Sequence, residues 1–200
     1  MIIDLNNLNQ NNKNKSPKNY IGQLLAANPS NPQNNQLNKG VILITGQIYS
    51  TIIGLQINNV IPSLSINDVI ENLGFWIDGE YPVYYGGNLG TNKLHIVHSS
   101  DWSGMTTRAV TNSISVTSDI SILAALSENE GPKLWRACAG HWSWNQYLLE
   151  QQLSIDPDQE YKWEICPATI KSVFYHQEQQ QWEKVMTNAA QQAVSAWINN

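Results

Sequence analysis

The sequence predicts an α+β fold, on three observations. The continuous apolar, β-branched run at 41–44 reads as a strand buried on both faces, and 51–58 as a second strand paired with it antiparallel. Apolar and polar residues alternate at 113–117 and 161–166, the period of a strand. From Trp182 to Trp197 apolar residues return every three or four positions, the period of a docked helix.

Taken in order, residues 1–19 form an Asn/Lys/Gln-rich tail with too few apolar residues to offset the entropy of ordering, and disorder is expected there. Residues 20–200 are expected to form one domain ending in a long amphipathic helix. A strand at 22–27 stops at a turn rich in Asn and Pro. The run 41–44 makes the next strand, 46–50 a turn, and 51–58 a strand whose Gly54 marks a bulge or a close approach. Residues 65–74 read as a short helix. Ser65 or Asn67 caps it, Ile66, Val69, Ile70 and Leu73 form its apolar face, and Gly74 stops it. Two strands flank a polar loop between Tyr81 and Trp102. The segment 104–112 has no clear period. Residues 113–117 read as a half-buried strand, and Ser118 caps a helix over 119–127 with Ile120, Leu123, Ala124 and Leu126 inward.

Glu130-Gly131-Pro132 breaks the chain. The run 134–140 is ambiguous by period and is read as a strand leading into His141-Trp142-Ser143-Trp144. A helix over 145–154 follows, with Leu148, Leu149 and Leu153 on its apolar side. Then come a strand at 161–166, a short helix at 169–174 and the long helix at 177–198.

At 200 residues the chain can bury roughly 70% of its unfolded surface, enough for a core without staples. A net charge of −5 with scattered Lys and Arg argues against direct nucleic-acid binding. Cys138 and Cys166 sit in apolar surroundings and read as buried free thiols rather than a disulfide. No secretory leader and no apolar run of the ~18 residues a membrane span requires is read, so a cytoplasmic protein without membrane contact is expected.

Chemistry-bearing patterns fail on spacing. The glycines at 86, 87 and 90 lack the Gly-Lys pair and following helix of a phosphate loop, and read as a turn. His95 and His98 are three apart on a strand, point to opposite faces and cannot share an ion. His98, Ser99 and Asp101 are triad residue types, but triads converge from separate elements. Asp156, Asp158 and Glu160 lack the glycine and closing Glu of a calcium loop. No catalytic residue, metal site or cofactor is assigned. Trp142 and Trp144 flank Ser143, project to one side of an extended segment, and line a candidate aromatic pocket.

The order of motifs resembles the YqgE/AlgH family, labelled transcriptional regulators. The carriers are G-Q-L-L-A-A-N-P near the start, G-L-Q-I-N-N at 54–59, Y-Y-G-G-N-L at 84–89 followed by L-H or V-H, S-V-T-S-D at 115–119, G-H-W-S-W at 140–144 with L-E at 149–150, V-F at 173–174 and W-E at 182–183. Asn59 and Val60 replace the family's Arg/Lys-Pro, Asn88 its Pro, and Leu148 its Gln, so the chain reads as a divergent member. The resemblance implies a mostly antiparallel, bifurcated sheet curled into a partial barrel with helices packed outside. It also implies a regulatory or interaction protein with no assigned reaction, acting on an unknown protein or small-molecule partner. The candidate groove comprises Asn58, Gly86, Gly87, His98, Asp101, Trp142 and Trp144. The alternatives are a small-molecule binder or enzyme using His98, Asp101 and Trp142–Trp144, and an assembly protein using the C-terminal helix. Oligomeric state is not set by the sequence.

Overall fold

The computed structural model describes residues 18–28, 37–153 and 163–199. The tail expected over 1–19 and the acidic run at 156–160 lie almost wholly outside these residues. Ten strands are assigned among the described residues: β1 (Gln23–Ala27), β2 (Val41–Ile48), β3 (Thr51–Gln56), β4 (Val60–Ser65), β5 (Pro82–Tyr85), β6 (Leu89–Ser99), β7 (Arg108–Ala109), β8 (Ile114–Thr117), β9 (Trp135–Asn145) and β10 (Trp163–Pro167). Helices α1 (Ile66–Ile70), α2 (Ser121–Ser127), α3 (Gln146–Gln152), α4 (Ile170–Phe174) and α5 (Glu178–Ile198) complete them. The main path runs β10-β1-β2-β3-β9-β6-β8-β7, antiparallel throughout, with β4 on β5 and β5 parallel to β9.

The sheet forks at β9. Its first half pairs with β6 on one side and β5 on the other, Ala137 facing both Ile96 and Val83. Its second half pairs with β3, Trp142 facing Gly54. Gly140 sits between the halves at φ +73°, a left-handed conformation that costs a non-glycine residue energy. The sheet then curls into a half-barrel. Gly22, just before β1, lies against Val110, just after β7, and a Cβ on Gly22 would stand 2.9 Å from the Val110 carbonyl oxygen.

One face of the curl holds Leu24, Leu43, Leu55, Val97, Val116 and Cys138, closed by Val173 of α4 and Val185 and Ala189 of α5. On the outer face, Ile42, Ile52, Trp142 and Trp163 pack with Leu149 of α3. A third cluster joins Val83, Ile96 and Ala137 to α1 and α2 through Ile66, Ile70, Ile122 and Leu126. Helices therefore cover the sheet at several places, as an α+β fold requires.

Several expectations are corrected. The turn expected at 46–50 is only Tyr49 and Ser50, because the register shift between Ile44 and Gly46 absorbs one residue and β2 continues to Ile48. Residues 60–65, to which no strand is assigned from the sequence, form an edge strand, where the N–H missing at Pro62 is tolerated. All four residues of β8 are buried, not alternate ones, because Ser115 and Thr117 bond to Ser100 and Thr106 beneath covering segments. Ser65, not Asn67, caps α1 in a capping box with Asp68, while Asn67 holds the Ile77 backbone from inside. Helix α2 begins at Ser121, and Ser118 turns instead to His95. Ile120 and Leu148 face outward. The docking stripe of α5 divides: Val185 and Ala189 are buried, whereas Val194, Trp197 and Ile198 stand exposed where the ~31 Å helix outruns the sheet.

Candidate functional site

Gly86 and Gly87 leave β5 and cross directly over the fork. The Gly86 amide donates to the Ala139 carbonyl (2.8 Å), and the Gly86 carbonyl accepts from Gln56 N–H (2.9 Å). A Cβ on Gly86 would lie 2.3 Å from the Gly140 oxygen. These glycines are demanded by close backbone approach.

Trp142 lies under this crossing on the outer face. It stacks with Trp144 at 6.3 Å, meets Tyr85 edge-on and donates from Nε1 to Gln56 Oε1 (3.3 Å). Trp144 in turn meets Trp163 edge-on. The pair projects to one side, and that side is a packed core. Asn58 is also buried. Its Oδ1 accepts from Val41 N–H (2.7 Å), and its Nδ2 donates to the carbonyls of Lys39 (2.8 Å) and Glu178 (3.1 Å), pinning β2 and the start of α5.

His98 and Asp101 lie at the other end of β9. His98 faces Trp135 in register, seven residues from Trp142, or roughly 23 Å along an extended strand. The structure thus brings Gly86, Gly87 and Trp142 together and sets His98 and Asp101 apart from them. His98 is fully buried. Its Nδ1–H donates to the Ser99 carbonyl (2.8 Å), and its ring meets Trp102 edge-on at 5.5 Å. Burial lowers its pKa, outweighing the Ser99 carbonyl and the Asp101 charge. Asp101 accepts from Ser99 Oγ (2.6 Å) and from Lys133 N–H (3.3 Å). Slight burial pushes its carboxyl up, but those hydrogen bonds win and hold it below the usual range. Ser99 Oγ also accepts from Leu134 N–H (3.1 Å), so the group clips the end of β6 to the start of β9.

His95 points to the opposite face from His98, as strand geometry predicts. Its Nδ1 lies 2.8 Å from Ser118 Oγ, and its ring meets His141 edge-on at 5.6 Å. Burial, then His141, Arg108 and Lys93, push His95 down to about 4. Burial and Lys93 lower His141 as well. Neutral imidazoles in the folded chain compete with protonated ones in the unfolded chain. Stability is therefore full above pH 6.5 and falls as pH drops toward about 4. Asp68, Asp101 and Asp119 have lowered values and act in the same direction only below 3.8. We expect His95→Asn to flatten the pH slope of urea unfolding between pH 6.5 and 4, by about 1 kcal/mol after solvent screening. An unchanged slope would contradict this.

The thiols are poor nucleophiles. Burial pushes Cys138 up to about 12 and Cys166 up to about 11, so neither is a thiolate at neutral pH. Among the described residues no group of three or more His, Cys, Asp and Glu is placed to hold a metal.

A groove of about 410 Å³ opens between α1, β6 and the start of α2. Ile70, Leu94, Ile96 and Leu123 line it, with Asn92, Ser118 and Asp119 as polar members. Leu73 and Ile120 each remain 54% exposed there. The sequence reading missed this groove because Leu73 and Ile120 fit helical stripes and were placed inward. The available signal was Ile120 sitting directly between Asp119 and Ser121, where a helix is only starting.

The AlgH-like family model matches residues 24–193. A UPF0301 protein of Methylococcus capsulatus is 25% identical over 170 residues, covering 84% of this chain and 90% of that protein. One from Rhizorhabdus wittichii is 24% identical over 176 residues, covering 87% and 91%. The solution structure of AlgH from Pseudomonas aeruginosa superposes with a TM-score of 0.68 at 22% identity, over 88% of this chain and 92% of that one. A crystal structure from Corynebacterium diphtheriae gives 0.65 at 19%, over 86% and 88%. The collinear motifs, the forked half-barrel and the family match over most of the chain agree, and the chain belongs to the AlgH-like family.

Proposed function

We propose that this protein is a regulatory interaction protein that works by binding a protein partner rather than by catalysing a reaction. The observation that carries the reading is the groove between α1, β6 and α2. Two large aliphatic side chains, Leu73 and Ile120, stand half-exposed beside an apolar concavity, an arrangement that marks binding surfaces more often than bare folding. The partner is a segment that offers an apolar side chain and a basic group. Asp119 favours the basic group: its Oδ1 accepts from Ser121 N–H (3.0 Å), which fixes a carboxylate in the groove's lining. Further support comes from the polar groups of the other candidate site. His98 Nδ1, Ser99 Oγ and the Asp101 carboxylate are bonded within the frame of the sheet.

The double variant Leu73→Asp/Ile120→Asp tests this. Both side chains are half-exposed, so the variant is expected to fold, with a melting temperature within a few degrees of wild type. Affinity capture from a native lysate is expected to lose, at least tenfold, a protein that wild type retains (about 1.4 kcal/mol). The same retained set for both forms would sink the proposal.

A further inference from the structure

We propose that Lys93, His95, Arg108 and His141 form a binding site for a small oxyanion, a phosphate or carboxylate group of a small-molecule ligand. This goes beyond the partner-binding reading and does not depend on it.

The four side chains come from three places in the fold. His95 and Lys93 lie on β6, His141 on β9 beyond the fork, and Arg108 on β7. The fork brings His141 over β6, because Leu89 pairs with His141 while Leu94 pairs with Ala139. The register shift between them loops out the chain that carries Gly90 and Lys93. Gly90, at φ +57°, lies between the His141 ring and the Lys93 side chain: a Cβ there would be 3.5 Å from both His141 Cε1 and Lys93 Cδ. Arg108 reaches across the curl to β2, its guanidinium 3.6 Å from where a Gly46 Cβ would stand.

Two ring nitrogens, His95 Nε2 and His141 Nδ1, are shielded from solvent and have no hydrogen-bond partner in the structure. Such atoms are costly unless a ligand or water meets them. Ser118 Oγ, at 2.8 Å from His95 Nδ1, completes the polar set. The groups whose charge acts on His95 are His141, Arg108 and Lys93, and on His141 Lys93, with no carboxylate among them. The acid next in sequence, Asp119, directs its Oδ1 to Ser121 N–H.

The donor set decides the ligand's sign. Two imidazoles alone are an incomplete set for zinc, which takes three or four protein ligands. Lys93 and Arg108 also repel a divalent cation. An oxyanion gains from both fixed charges and accepts N–H bonds from the imidazoles. It further favours their protonation, which offsets the burial that now keeps them neutral.

Ring-¹⁵N histidine spectra of the full chain, titrated separately with inorganic phosphate, succinate and Zn²⁺, test the site. One of the two anions is expected to shift the His95 and His141 signals and leave His98 and His176 in place. It should also raise the His95 midpoint from about 4 by at least one unit, a tenfold change in proton affinity. Which anion responds identifies the group as phosphate or carboxylate. Lys93→Met/Arg108→Gln alters two exposed side chains, so it is expected to fold. In it the His95 midpoint should rise without ligand, and affinity for the responding anion should fall at least tenfold. Silence of both rings toward both anions at millimolar concentration would overturn the site. Tight Zn²⁺ binding without an anion response, or an unchanged anion affinity in the double variant, would overturn it as well. Loss of the partner in the Leu73/Ile120 variant leaves these signals untouched, so the two proposals fail separately.

Discussion

Gly87→Ala is expected to cost about 4 kcal/mol of folding stability, a large share of the 5–15 kcal/mol typical of a domain. The added Cβ would lie 2.1 Å from the His141 carbonyl carbon, 2.3 Å from its oxygen and 2.4 Å from the Trp142 nitrogen. All three are backbone atoms, so no side chain can swing away. Relief requires the crossing strand to lift off β9. That movement threatens the Gly86 bonds to Ala139 and Gln56 and the pairing of Leu89 with His141, each buried hydrogen bond being worth about 1 kcal/mol. Gly74→Ala is the control. Gly74 is left-handed, at φ +79°, but an added Cβ meets nothing within 4 Å. Its cost is the conformational penalty alone, about 1 kcal/mol. Urea unfolding of the two variants should separate them by about 3 kcal/mol. Equal costs would show that the fork does not depend on this contact.

Arg136→Met is expected to cost about 3 kcal/mol and to loosen α5 first. Arg136 is 5% exposed, and its guanidinium binds elements that are far apart in sequence. Nη1 donates to the Ile57 carbonyl (2.5 Å) and to Gln181 Oε1 (2.7 Å), and Nη2 donates to the His176 carbonyl. The Tyr84 ring lies 4.9 Å beneath it. Gln181 passes the connection on by donating to the carbonyls of Ser172 (2.8 Å) and Val173 (3.1 Å) in α4. Removing the cation orphans two buried acceptors and one part-buried one, at about 1–3 kcal/mol for each buried group. The vanished desolvation penalty of the guanidinium offsets part of that loss. Amide exchange should therefore speed up in 178–189 before it does so in the strands. Stability within about 0.5 kcal/mol of wild type, with α5 still protected, would contradict the role.

Local chemistry was legible in the sequence wherever one short stretch carried its own signal. The cap Ser65 and the stop at Gly74 follow from a side-chain oxygen and a left-handed glycine within one turn. Strands β1 and β3 follow from their apolar runs. The ambiguous run before His141 resolves as the fork strand, whose buried flanks on both sides erase the alternation that would have named it. The antiparallel half-barrel was expected from the family resemblance and agrees with the topology.

What the sequence did not disclose depends on register between distant strands. Local reading set His98 and Trp142 near one groove, but pairing places them at Trp135 and Gly54, at opposite ends of β9. It weighed His95 with His98, whereas the fork sets His95 beside His141. Arg136 passed as one charge in an apolar run. A lone cation between Trp135 and Cys138 was the available sign of a buried anchor. The long helix read as one docking stripe, but the sheet ends before it does, and Trp197 is left 82% exposed.

The groove beside Leu73 and Ile120 is the surface on which the functional reading rests, and photocrosslinking tests it most directly. A photoreactive residue placed at Asn92, an exposed member of the groove, is compared in native lysate with one at Ser100, beside the His98–Asp101 clip. The expected result is one protein adduct from position 92, lost with Leu73→Asp/Ile120→Asp, and none from position 100. An adduct from position 100 with none from 92 would contradict the account and return attention to the His98–Trp102 end.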